Sequence, residues 1–408
     1  MTDRFAAFRY SSYSRYFISR FAVSFAVQIL SVSVAWQIYD ETRNPALLGW
    51  IGLVQFLPAL TLVVVTGNAA DRIGRRLVMG CAVLLMMACA GMILFLASTD
   101  QFLPVLVLSV LTLFGVARAF YGPASTSLAV NLVPREVFPN AVGWISSSWQ
   151  MASIAGPVAG GLLYGLSPYA AYGTSAGLFA LAGILILTIP KPEQKLDKAP
   201  TTLASLLGGF SYVRKEKIVL GAITLDLFAV LLGGAVALMP VYARDILEVG
   251  ELGLGLLRAA PGVGALIALG LITAFPIRDY AGWILLVSVA LFGLATAVFG
   301  ASTLAWVSIL ALMFIGGFDM VSVYIREILV QLWTPDEVRG RVNAVNSIFV
   351  GASNELGEAR AGFMAAITGP VFTVVAGGFA AVGVAGLSAF LFPKLRDARK
   401  LHEGRPES

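Results

Sequence analysis

The chain has 408 residues, of which 58% are hydrophobic and 12% charged, and its mean hydropathy is +0.85. Soluble domains carry about 25% charged residues, so this composition excludes a soluble domain and describes an integral membrane protein. The net charge of +5 is not a nucleic-acid footprint, because most of the 28 lysines and arginines cluster beside apolar runs, in 1–20, 71–76, 191–217 and 393–408.

Arg4, Arg9, Arg15 and Arg20 open the chain. The apolar run they enter is too long for a signal peptide and is followed by no small-residue cleavage motif. Twelve apolar runs can each cross roughly 30 Å of hydrocarbon. They lie at 15–39, 46–70, 77–97, 103–130, 137–165, 169–190, 218–243, 251–275, 282–301, 304–332, 338–368 and 371–392. Gln28 and Gln55 sit inside the first and second. Between the second and third lies a short stretch holding Gly67, Asp71, Arg72, Gly74, Arg75 and Arg76. Positive charge at a span end marks a cytoplasmic loop. Gly67 lets two helices approach closely, Asp71 suits a position near a helix N-terminus, and Gly74 permits a tight turn. Cys81 and Cys89 share the third run as packing residues, with no zinc or disulfide pattern.

The fourth run reads Gly115-Val116-Ala117-Arg118-Ala119-Phe120-Tyr121-Gly122-Pro123, and the fifth holds Gly143, Ala152 and then Gly156-Pro157-Val158-Ala159-Gly160-Gly161. Small residues there let helices pack closely, and Pro157 frees a carbonyl and permits a bend. The one long polar interruption, 191–217, is read as a cytoplasmic linker. It separates an N-terminal half, 1–190, from a C-terminal half, 218–392, with a cytoplasmic tail at 393–408. The halves echo each other: Val133-Pro134-Arg135-Glu136-Val137 recurs as Thr334-Pro335-Asp336-Glu337-Val338. At the same offset Gly156 falls on Gly357, Gly161 on Gly362, Gly115 on Gly316, and Arg118 on Asp319.

Charged residues inside spans are expensive and face a cavity or a partner. By depth, Gln28, Gln55, Arg118, Asp226, Asp319 and Glu355 lie near the middle, Arg326 and Glu327 nearer the cytoplasm, and Arg360 nearer the outside. Asp319, Ser322 and Arg326 share one face of the tenth span. Asn343, Ser347, Asn354 and Glu358 share one face of the eleventh, beside Glu355. Each charge alone admits a structural ion pair. The set is too large for that role, since buried ion pairs stabilise a bundle inefficiently.

The stretch from Gly67 to Arg76 resembles the loop between the second and third helices of the major facilitator superfamily, roughly G-x-x-x-D-R-x-G-R-R. The fifth run resembles that family's antiporter motif, G-x8-G-x3-G-P-x2-G-G, with Ala152 as a departure. Arg118 and Gly122 satisfy the family's R-x-x-x-G string. In the register set by Pro123 and Ala124, the motif glycine is instead Gly115, and Leu111 takes the arginine's place. Arg326 to Val342, Gly351 to Glu358, and Leu256 to Gly264 resemble the enterobactin-exporter-like branch, also called the transmembrane secretion effector group. The stretch from Phe275 to Gly282, which would repeat the opening motif, is degenerate.

The resemblance implies an all-α membrane protein with twelve transmembrane helices in two pseudo-symmetric six-helix halves, and a substrate site near the midplane between them. It implies a secondary transporter in a bacterial-type inner membrane, with both termini cytoplasmic. It further implies proton-coupled export of a siderophore, a drug-like compound or another small amphiphile. Gly67, Asp71, Arg72, Gly74, Arg75 and Arg76 would form the gate, and Gly156, Pro157, Gly160 and Gly161 the hinge. The residues offered for substrate or proton are Gln28, Gln55, Arg118, Asp226, Asp319, Arg326, Asn354, Glu355 and Glu358. Arg118 and Asp319, related by the repeat, would pair in one state and part in another. No cofactor, metal or nucleic acid is expected, and a monomer is. No phosphate-cradling motif is present, and His402 in the tail is the only histidine, so neither ATP nor a buried histidine relay drives the cycle. A lipid transporter or nutrient importer of the same fold is the alternative reading, and a non-transporting sensor or scaffold a remoter one.

Overall fold

The computed structural model describes residues 4–99, 103–191, 203–277 and 279–398. Helices account for nearly all of them: α1 Ser11–Thr42, α2 Pro45–Ile73, α3 Arg75–Ser98, α4 Pro104–Ala129, α5 Phe138–Leu166, α6 Pro168–Thr188, α7 Leu203–Lys215 and α8 Lys217–Gly233. After α8 come a short turn, the three-residue α9 Met239–Val241 and a π-helical turn, Tyr242–Ile246. The chain then continues as α10 Gly250–Ala274, α11 Ala281–Ala301, α12 Ala305–Leu332, α13 Asp336–Thr368, α14 Pro370–Leu391 and α15 Pro393–Arg396. Part of the expected linker, 192–202, and most of the expected tail, including His402, lie outside the described residues.

Prolines open several helices, where a missing N–H costs nothing. The connections are short. Gly74 alone joins α2 to α3, at φ +110°, and Gly369 alone joins α13 to α14, at φ +85°. Both conformations favour glycine. Ten helical stretches are long and apolar enough to cross a membrane, with α8 counted through Ile246. The α5 and α13 helices, at 29 and 33 residues, exceed the ~20 residues a crossing needs. Their polar side chains, Ser146, Ser147, Ser148 and Gln150 in α5, and Asn343 to Glu358 in α13, keep them off a hydropathy count. With them, twelve membrane helices lie among the described residues.

The described residues group into two compact units: one within Met1–Thr42, Val54–Thr201 and Gly250–Ala259, the other within Arg43–Leu53, Thr202–Val249 and Ala260–Ser408. The division differs from a cut at the linker, because α2 and α10 are each shared. The cause is close glycine packing. Gly49 and Gly52 set the first turns of α2 against Ala359 and Glu355 of α13, and Gly255 sets the start of α10 against Pro157 of α5.

In the first unit, α1 packs on α5 and α6, and α3 on α4 and α6. Phe8, Phe17 and Trp144 form an aromatic cluster at its N-terminal end. In the second, α11 packs on α12 and α14, and α8 on α13 and α14. The core there gathers Leu225, Leu285, Val289, Ile325, Leu329 and Ala385. Glycines again set the tightest contacts. A Cβ at Gly264 would overlap the Met313 carbonyl, and one at Gly316 the Pro261 carbonyl. With lipid as apolar as leucine, such backbone approach is what drives helices together.

The α8 helix stops at Gly233, inside the expected span. Arg360 of α13 meets the break: its Nε donates to the Leu231 carbonyl at 2.8 Å and its Nη2 to the Leu232 carbonyl at 2.5 Å. The last carbonyls of a helix have no intrahelical partner, and a cation there is favoured by the helix dipole.

Gly316→Leu is expected to lower folded yield and melting temperature, at about 1–3 kcal/mol for overpacking. Gly383→Leu, where nothing lies within 4 Å, is expected to be tolerated. A heating ramp read by fluorescence-detected size-exclusion chromatography compares the two, and equal melting would count against a close-packed α10–α12 contact.

Candidate functional site

The α2–α3 junction is built from helix ends. The α2 helix runs on through Ile73, so Gly67 and Asp71 belong to its last turns; their side chains lie outside the described structure. Arg72 is exposed. Arg75 donates to the Ser127 carbonyl at 3.0 Å, and Arg76 to the Ile189 carbonyl at 2.5 Å. Arg15 of α1 joins them at the Thr188 carbonyl, 2.7 Å away. The acceptors are the terminal carbonyls of α4 and α6, so these arginines complete helix C-termini inside their own unit. Reading the sequence accounted for the charge of this stretch and missed the acceptors. Paired arginines one turn from a predicted helix end were the available signal.

The small-residue run of α5 faces two helices. A Cβ at Gly156 would strike Gln28 of α1, and one at Gly160 would crowd Ile29 and Val32. On the other side, a Cβ at Gly161 would overlap the Glu251 carbonyl at the start of α10, and Gly255 returns the contact on the Pro157 carbonyl. Pro157 lies inside the helix and removes one backbone donor there. Gly143 has no such neighbour.

Three embedded cations of the first unit donate to neutral side chains. Arg118 of α4 is exposed and donates to Gln55 Oε1 of α2 at 3.2 Å. The two helices touch there, since a Cβ at Gly115 would overlap the Gln55 backbone. Arg20 of α1 donates to Ser125 Oγ at 2.7 Å and Tyr16 Oη at 3.3 Å. Arg258, at the start of α10, donates to Ser31 Oγ at 2.9 Å. Within its own unit, the side chain that receives the hydrogen bond of Arg118 is Gln55.

The second unit holds the embedded carboxylates. Asp226 of α8 and Arg326 of α12 form a buried ion pair, 7% and 3% exposed. Asn346 of α13 donates to Glu327 at 3.1 Å. Glu355 and Glu358 lie against Gly52 of α2. Asn354 is exposed and bonds its own helix at the Val350 carbonyl, 2.9 Å away. Asp319, half-buried on the α12 face that also bears Ser322 and Arg326, has no hydrogen bond or ion pair among the described residues. The structure thus joins Asp226 to Arg326, two candidates read separately from the sequence, and adds Asn346, Glu327 and Arg360. No group of metal-ligating side chains occurs among the described residues.

Comparison with known proteins gives a consistent result. Residues 16–325 match the family model of the Major Facilitator Superfamily. The enterobactin exporter of Shigella flexneri is 27% identical over 403 residues, and that of Escherichia coli (strain K12 / MC4100 / BW2952) is 25% identical over 395; each alignment covers 94% of this chain and 92% of the relative. Among solved structures, a bacterial homologue of the human lysosomal transporter Spinster, in an inward-facing and occupied conformation, matches with a TM-score of 0.75 at 14% identity, over 95% of this chain and 98% of that one. A bacterial homologue of the iron transporter ferroportin, in an inward-facing state, matches with a TM-score of 0.70 at 18% identity, over 95% and 98%.

Arg326→Gln is expected to leave Asp226 buried and unpaired, at about 3–5 kcal/mol, and to cut expression sharply. Combining it with Asp226→Asn is expected to restore most of the yield. Melting temperatures of the single and double variants in detergent measure the coupling; simple additivity would count against a mutually dependent pair.

Proposed function

Because the chain belongs to the Major Facilitator Superfamily, we propose that it is a proton-coupled exporter of a siderophore, drug-like or other small amphiphilic molecule, working by alternating access. The observation that carries the reading is the alignment with enterobactin exporters over almost the full length of both chains. A multi-pass protein of this kind would sit as a monomer in the inner membrane. Its basic stretches would keep both termini and the linker in the cytoplasm.

In this reading the linker, 191–217, tethers the N-terminal half, 1–190, to the C-terminal half, 218–392. The α2–α3 junction is the gate, with Asp71 holding the cytoplasmic side closed and Gly74 keeping α2 and α3 moving together. The glycine contacts of α5 with α1 and α10 form the hinge. Gln28, Gln55 and Arg118 serve the substrate. Asp319 carries the proton, since a carboxylate in a span with no ion pair among the described residues can gain and lose one. Glu355 and Glu358 are the next candidates. Asp226, already held by Arg326, has the weaker case.

Everted vesicles with an acidic lumen test direction and coupling together. The wild-type protein is expected to accumulate substrate only while the proton gradient stands. Asp319→Asn is expected to fold and exchange substrate across the membrane while ignoring the gradient; gradient-driven accumulation in that variant would remove Asp319 from the proton path. Uptake that runs only from the opposite face would favour an importer.

Gly156→Leu and Gly160→Leu are expected to stop turnover in the same vesicles while expression persists. An overpacking cost of about 1–3 kcal/mol is enough to bias a two-state equilibrium without unfolding a bundle. Normal flux in both variants would sink the hinge.

A further inference from the structure

We propose that the first unit recognises its substrate by an acidic group, with Arg118 as the anion-binding residue, Gln55 as its support, and Arg20 extending the same positive strip; this rests on the transport reading above. The starting point is an imbalance of charge. Within α1 to α6 the only carboxylates are Asp40 and Glu41 in the last turn of α1 and Asp71 in the last turn of α2. These helices hold six arginines, and two of them, Arg118 and Arg20, bond only neutral groups among the described residues: Gln55 for Arg118, and Ser125 and Tyr16 for Arg20.

A structural role does not account for the charge on Arg118. The contact between α4 and α2 is already made by backbone, at Gly115 against Gln55, and a neutral donor would serve the Gln55 oxygen equally well. Arg118 is exposed in the middle of α4, and a guanidinium at that depth is costly against lipid tails, so in this proposal it lies on a water-filled cavity. Among the described residues only one of its nitrogens is engaged. The remaining donors form the planar fork that fits a carboxylate or an acidic phenolate in two parallel hydrogen bonds.

The neighbouring residues extend the site along one helix face. Arg118, Tyr121 and Ser125 are spaced three and four apart on α4, and Arg20 is docked on Ser125. The strip therefore runs about 10 Å along α4 from Arg118 to Ser125, where Arg20 docks, with the buried Tyr121 hydroxyl between them. Next along α1 from Arg20, Phe21 and Phe25 stack at 5.7 Å and are half-buried, offering an apolar ring surface. A ligand with an acidic group and an aromatic ring meets both features.

The test uses three probes on one ring system: naphthalene carboxylate, naphthalene carboxamide and naphthylmethylammonium. Equilibrium dialysis measures their binding to the full chain in nanodiscs of zwitterionic lipid, and everted vesicles measure their flux. The carboxylate is expected to bind about tenfold or more tightly than the amide, a difference of about 1.4 kcal/mol. Arg118→Gln should erase that preference, Arg118→Lys should keep part of it, and Arg20→Gln should reduce it. Equal binding of carboxylate and amide, absence of carboxylate binding, or a preference that survives Arg118→Gln overturns the proposal. Arg118-dependent carboxylate binding without flux of any probe would instead support the site and count against the export reading.

Discussion

Hydrocarbon offers no hydrogen bonds, so every backbone group of a membrane protein must find its partner within the chain. Helices satisfy this requirement along their length and fail it at their ends. Here arginine side chains supply the missing donors at three helix C-termini: Arg75 at α4, Arg15 and Arg76 at α6, and Arg360 where α8 stops short. Each cation also meets the negative end of a helix dipole. The arginines that a charge count assigns to topology are therefore fasteners as well, and they tie α1, α3, α4 and α6 into one body. Arg360 does more, because it lets a membrane helix end early and hand over to the irregular turns between Val236 and Ile246.

The second constraint is distance. Helices that come together without a hydrophobic driving force need backbone contact, and glycine provides it. The α5 run shows the economy of this: successive glycines meet α1 on one side and the start of α10 on the other. The price is sensitivity, since a single added carbon collides with the Glu251 carbonyl at Gly161 and with the packed Gln28 side chain at Gly156.

Much of this was legible in the sequence. The span positions follow from apolar runs bounded by charge and proline, and they agree with the helices to within a few residues at most ends. The tight turn at Gly74 was legible too, because only a glycine between two spans leaves so short a link. What sequence reasoning could not supply was partnership. Asp226 and Arg326 lie on different helices, and no periodicity connects them. The repeat relates Arg118 to Asp319 by symmetry, and it carries no sign of the glutamine on α2 that receives the hydrogen bond of Arg118. Arg360 was visible only as a charge, since its acceptors exist because α8 ends inside a span.

The polarity of α5 and α13 has a consequence for how the protein is made. A segment leaves the translocon for lipid according to its own hydrophobicity. Most of the spans meet that test unaided. The serine and glutamine run of α5, and the asparagine and glutamate run of α13, do not. These two segments can enter the bilayer only once earlier helices offer them polar or close-packing company: α1 for α5, and α8 for α13. Synthesis delivers the neighbours first in both cases. The chain order thus doubles as an assembly order, in which the least lipid-soluble helix of each half is received by a surface already prepared for it.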